Sequence, residues 1–135
     1  MFEHFVVAHD RVYAVVLAEL AAGQKASHWM WFIFPQLTAL GRSDMARRFG
    51  IADLDAARDY LAHPVLGPRL VECAKAVLRI EGRSAHQIFG APDDLKLRSS
   101  MTLFARAGAG APFRQVLEKY YGGVEDPLTV ELLGR

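Results

Sequence analysis

The chain has 135 residues, 52% of them hydrophobic, and its 16 basic and 15 acidic side chains leave a formal net charge of +1. That length suits one domain, and folding it buries about two-thirds of the surface the unfolded chain exposes, so no disulfide or metal staple is needed. The near-balance of charge disfavours nucleic acid as a partner, because non-specific binding rests on many phosphate contacts, and a single cysteine, Cys73, excludes an intrachain disulfide framework.

Glu3 and His4 precede the first apolar run, so the start lacks the basic segment of a secretory signal. The longest apolar stretch, residues 29–34, falls far short of the roughly 20 residues that cross a bilayer. A soluble, cytoplasmic protein without a membrane partner is expected.

Phe5, Val6, His9, Val12, Tyr13, Val16, Leu17 and Leu20 recur at three- and four-residue steps, which predicts an amphipathic helix stopped by Gly23. Next come residues 28–36, His-Trp-Met-Trp-Phe-Ile-Phe-Pro-Gln, which hold both tryptophans of the chain. A turn of helix starting at Ser27 and halted before Pro35 is expected there. Gly41 and Ser43 lead into a short helix over residues 44–49. Asp53 caps a helix that runs to Ala62 and is broken by His63-Pro64.

Leu66, Leu70, Cys73 and Val77 mark the buried stripe of the following helix, which the sequence carries to Gly82. Ser84 and Gln87 form a capping box for a brief helix closed by Gly90. Helical spacing returns in Leu97, Met101, Phe104 and Ala105, over residues 93–107. A flexible loop over residues 108–111 then precedes a helix with Pro112 in its first turn and Phe113, Val116, Leu117 and Tyr120 facing inward. Asp126-Pro127 opens a last short helix. With no sustained period-two alternation and no hairpin signal, the expectation is an all-α domain over residues 1–135, with about seven helices, several of them short.

Indole, imidazole and amide groups need hydrogen-bond partners once buried. Residues 28–36 are therefore either a central core helix or the floor of a recognition site. If helical, His28, Trp31 and Phe32 share one face, with Trp29 and Ile33 beside it. In the recognition reading Trp29 or Trp31 stacks on a ligand while His28 and Gln36 supply polar contacts. Stacking is worth about 1–3 kcal/mol, less than the cost of association at about 4 kcal/mol or more, so further contacts are required. Arg42 and Ser43 offer some at a helix start, where free amides suit an anion.

Lys96, Arg98, Ser99, Ser100 and Thr102 offer others. Three hydroxyls in four residues are unusual inside a helix, and they suit either close helix packing or the oxygens of a phosphate or sugar. His28 and His63 are the candidates for proton transfer near neutral pH. Cys73, on an apolar stripe, reads as an inert buried thiol. No metal-ligand spacing, nucleophile motif or cofactor fingerprint is present, so neither metal nor cofactor is expected.

Several of these stretches together resemble a bacterial family, the domain of unknown function 1810. They are Gly23-Gln24-Lys25 into residues 27–36, Leu40-Gly41-Arg42-Ser43, residues 60–70, Ile88-Phe89-Gly90 and residues 93–104. His9 and Leu95 are small departures, at positions where glutamine and methionine are expected. The resemblance covers nearly the whole chain and implies a mainly helical domain without an established activity. Members often carry the automated label calpastatin. Calpain inhibitors of that name are long, disordered, repeat-bearing chains, whereas this composition is that of a compact domain, so no protease inhibition is inferred.

The leading functional expectation is binding, with or without processing, of a nucleotide-like or other anionic small molecule where these segments meet. Its sign would be His28, Arg42 and Arg98 within about 10 Å of one another in a concave site. The alternative is a protein-interaction or scaffold module without catalysis, marked by a large exposed apolar patch. Oligomeric state is not encoded in any motif.

Overall fold

A computed structural model describes residues 1–108 and 110–134, and among these the predicted helical periodicity becomes nine α-helices without a strand. In chain order they are α1 (Glu3–Ala21), α2 (Met30–Ile33), α3 (Asp44–Arg48), α4 (Leu54–Ala62), α5 (Leu66–Arg79), α6 (Ala85–Phe89), α7 (Asp93–Arg106), α8 (Ala111–Tyr121) and α9 (Pro127–Leu133). The all-α expectation holds, and the count exceeds seven mainly through short helices. Part of the expected loop over residues 108–111, Ala109, lies outside the described residues, as does Arg135.

The caps read from the sequence are in place. Asp53 Oδ1 accepts from the Ala56 amide at 2.8 Å, and Asp126 Oδ2 accepts from that of Thr129 at 3.1 Å. Ser84 and Gln87 exchange bonds of 3.1 and 2.8 Å as a reciprocal box.

Two boundaries differ from the sequence reading by more than one residue, for identifiable reasons. α5 ends at Arg79 rather than near Gly82, because Lys119 of α8 donates to the carbonyls of Leu78 and Ile80, each at 2.6 Å, and holds the chain out of the helix. The aromatic segment becomes helical only from Met30, because the Ser27 hydroxyl, expected as a cap, donates instead to Glu19 at 2.6 Å.

α5 packs against α1, α4 and α8, and α7 packs against α4, α6, α8 and α9. Phe5, Val16, Leu20, Leu66, Leu70, Cys73, Val77, Leu97, Met101, Phe104, Phe113, Val116 and Leu117 fill the space between them. Each large side chain so buried contributes about 1.5–3 kcal/mol. The sharp α4–α5 corner needs Gly67, since any Cβ there would run into the Leu61 carbonyl. Beyond α2, an isolated parallel bridge pairs Leu37 with Ile51 and holds the segment after the aromatic helix onto the chain leaving α3.

Candidate functional site

Glu19, near the end of α1, organises the aromatic segment. Its carboxylate accepts from the amides of Ala26 and Ser27 at 2.7 and 3.0 Å, from the Ser27 hydroxyl at 2.6 Å and from the Trp29 indole at 2.9 Å. Burial alone would raise its pKa, but these bonds to the charged form outweigh it and hold the carboxyl at about 2. The indole, whose buried N–H had to find a partner, is thereby fixed in the core, and Trp29 is 1% exposed.

Lys25, just before this turn, donates to the Ser27 carbonyl at 2.6 Å and pairs with Asp93 at the start of α7 at 3.0 Å. Its ammonium also stands 5.1 Å from the centre of the Trp29 ring. Asp93 reaches a second cation, Lys96, at 3.6 Å, and the Lys96 ammonium lies 5.6 Å from the centre of the Trp31 ring. Between the aromatic segment and the start of α7 opens a cleft of about 410 Å³, lined by Lys25, Ser27, His28, Trp31, Pro92 and Lys96 among others. Trp31 is half-buried and His28 exposed. Gln36 lines a narrow adjoining crevice that shares Trp31 and Lys96.

Of the residues singled out from the sequence, His28, Trp31 and Lys96 meet in this cleft and Gln36 lies beside it. The expected gathering of His28, Arg42 and Arg98 is not seen. Arg98 donates to the carbonyls of Val124 and Glu125 at 3.0 and 2.9 Å, pinning the loop before α9. Ser99 donates to Asp126 at 3.1 Å, and Thr102 accepts from the Asp126 amide at 2.9 Å. The hydroxyl-rich face of α7 is thus a docking face for the C-terminal segment. Ser100 is fully buried, and its hydroxyl has no hydrogen-bond partner among the described residues.

Ser43 caps α3 by accepting from the Ala46 amide at 3.1 Å. Arg42 is exposed and does not line the cleft. His63 also serves the backbone: its Nδ1 accepts from the amides of Val65 and Leu66 at 3.1 and 3.2 Å, at the start of α5. Burial pushes the Cys73 thiol up to about 12, the state of an unreactive core cysteine.

Sequence reasoning missed Glu19, Lys25 and Asp93. Glu19 and Lys25 stand on either side of Gly23, where the chain reverses, and that proximity was the one local signal. Nothing local links Lys25 to Asp93.

Among the described residues no group of three or more His, Cys, Asp or Glu is placed to hold a metal ion, and no helix is long and apolar enough to cross a membrane. No curated protein matches the chain. The crystal structure of the conserved hypothetical protein Rv1873 from Mycobacterium tuberculosis is similar at a TM-score of 0.97 and 56% identity, over 98% of this chain and 96% of that one. The family described as "Protein of unknown function (DUF1810)" matches residues 1–133, and the chain belongs to it.

Proposed function

We propose that the cleft between the aromatic segment and α7 binds a small anionic molecule carrying a planar ring. The observation that carries this reading is Lys96, held by Asp93 at 3.6 Å beside the ring of Trp31 in a concave site. Lys25 and Lys96 against Asp93 leave one positive charge at the cleft. Lys25 is already committed to Ser27 and Asp93, so Lys96 is the cation able to turn its donors to a ligand. The ring lies against Trp31, whose stacking contributes about 1–3 kcal/mol. His28, at the rim, supplies a hydrogen bond or a proton. The volume, about 410 Å³, falls in the range of small-ligand sites.

A thermal-shift screen with nucleoside monophosphates, ADP-ribose-like compounds and sugar phosphates tests this, followed by calorimetric titration of any compound that stabilises the protein. Lys96→Ala should weaken that compound about 10- to 100-fold, as expected for a hydrogen bond to a charged group. If no anion raises the melting temperature, or if Lys96→Ala binds as tightly as the parent, the reading fails.

An interaction module is the second reading. It draws on a hollow of about 550 Å³ between α1 and α3, where the apolar Val7, Phe32, Met45 and Phe49 are joined by His4, Arg11 and Arg48 among others, and Val7 is 55% exposed. Sedimentation that changes with Val7→Asp, without any anion response, would favour it.

A further inference from the structure

None of the residues of a second polar cluster, enclosed by α1, α4 and α5, lines the cleft. His9 lies on the buried stripe of α1 and is 1% exposed. Its Nε2 stands 2.5 Å from the carbonyl oxygen of Phe32, at the end of α2, where the last carbonyls of a helix lack intrahelical partners. A carbonyl only accepts, so Nε2 carries the ring proton and Nδ1 of the neutral imidazole presents a bare lone pair.

That Nδ1 has no hydrogen-bond partner among the described residues, and neither does the hydroxyl of the buried Tyr60 on α4. Arg69 on α5 gives one terminal nitrogen to Asp10 at 3.0 Å, while its other, Nη1, is buried and also unpartnered among the described residues.

Shared ring neighbours link these groups. The His9 ring lies parallel to that of Tyr13, centres 6.2 Å apart, and the Arg69 guanidinium stands 4.7 Å from the centre of the same Tyr13 ring. Tyr60 packs 5.3 Å from Phe5, one turn before His9 on α1. The Arg69 charge opposes protonation of His9 and favours ionisation of Tyr60, so it lies within electrostatic reach of both.

Their chemistry is complementary but incomplete. Arg69 Nη1 can only donate, His9 Nδ1 can only accept, and the Tyr60 hydroxyl can do either. An anion would suit Arg69 and Tyr60 but would face the lone pair of His9. One water molecule suits all three: it accepts from Arg69, donates to His9 and exchanges a hydrogen bond with Tyr60. Three bonds is the usual complement of a buried water. We propose that α1, α4 and α5 enclose a site for a single internal water, held by His9 Nδ1, the Tyr60 hydroxyl and Arg69 Nη1.

High-resolution diffraction from crystals at neutral pH, with a parallel soak in bromide, tests the site directly. A solvent peak within hydrogen-bond distance of at least two of the three atoms, without anomalous signal, is expected. A bromide peak there, or no solvent density, would overturn the proposal. Tyr60→Phe gives an independent reading in the same shape and volume. Loss of a water-bonded hydroxyl should lower the melting temperature by roughly 2–8 °C. An unchanged or raised melting temperature means the hydroxyl lies dry, and sinks the idea.

Discussion

Glu19 shows how one side chain sets the geometry of the turn that follows its helix. Its carboxylate collects two amides, a hydroxyl and an indole, so the turn between α1 and α2 is fixed by one side chain. Glu19→Ala strands the buried Trp29 N–H and should cost about 3 kcal/mol of stability, read from urea unfolding followed by tryptophan fluorescence. A loss under about 1 kcal/mol would show that the turn is held by packing instead. Cys73 is the opposite case, a reactive group made inert by its surroundings. With the thiol pushed up to about 12 by burial, a thiol reagent at neutral pH should label the native protein only as fast as it unfolds. Rapid native labelling would contradict the burial.

At the scale of elements, the unusual composition of α7 has a packing cause. Ser99 and Thr102 are short enough to let the loop before α9 approach, and Asp126 ties both of them to the cap of α9. Arg98 closes the same contact with two bonds to main-chain carbonyls. Arg98→Ala should therefore lower stability by about 2 kcal/mol while leaving the affinity of the cleft for any anion unchanged within about twofold. Thermal melts and titration on the same variant separate the two effects, and a large affinity loss with normal stability would return Arg98 to the site. The two tryptophans divide in the same way. Trp29→Ala removes a buried ring and should cost about 3–5 kcal/mol, whereas Trp31, half-buried beside Lys96, should cost clearly less.

For the molecule as a whole, His9 and Glu19 predict the acid limb of stability. Burial, ahead of all other causes, lowers the His9 pKa from 6.5 to about 4. As pH falls through 6.5 the unfolded chain takes up a proton that the folded chain refuses. The His9 contribution is thus fully present above pH 6.5 and is lost as pH falls to about 4, by about 3 kcal/mol in all. Glu19, held at about 2 rather than 4.5, extends the loss: its contribution is present above pH 4.5 and fades as pH falls towards 2. Urea unfolding at successive pH values should give a plateau above neutrality and a continuous decline from pH 6.5 downward. Equal stability at pH 6.5 and pH 4 would contradict the His9 assignment.

Helix periodicity, caps and breakers are local, and they were legible as letters. Asp53, the Ser84–Gln87 box, Asp126-Pro127 and the stripe through Leu66, Leu70, Cys73 and Val77 all act within a few residues of themselves. The membership of the candidate site was not legible, because a side chain has one set of donors and the fold decides what claims them first. Arg98 and Lys96 are two positions apart on one helix, yet Arg98 is taken by the carbonyls of the C-terminal loop while Lys96 turns to Trp31. Lys25 meets Asp93 only because the chain folds back between them. The sequence by itself determined which segments coil and which face of each seeks the interior. Only the tertiary structure decided which indole is sealed and which cation stays available, since that competition runs between groups far apart in the chain.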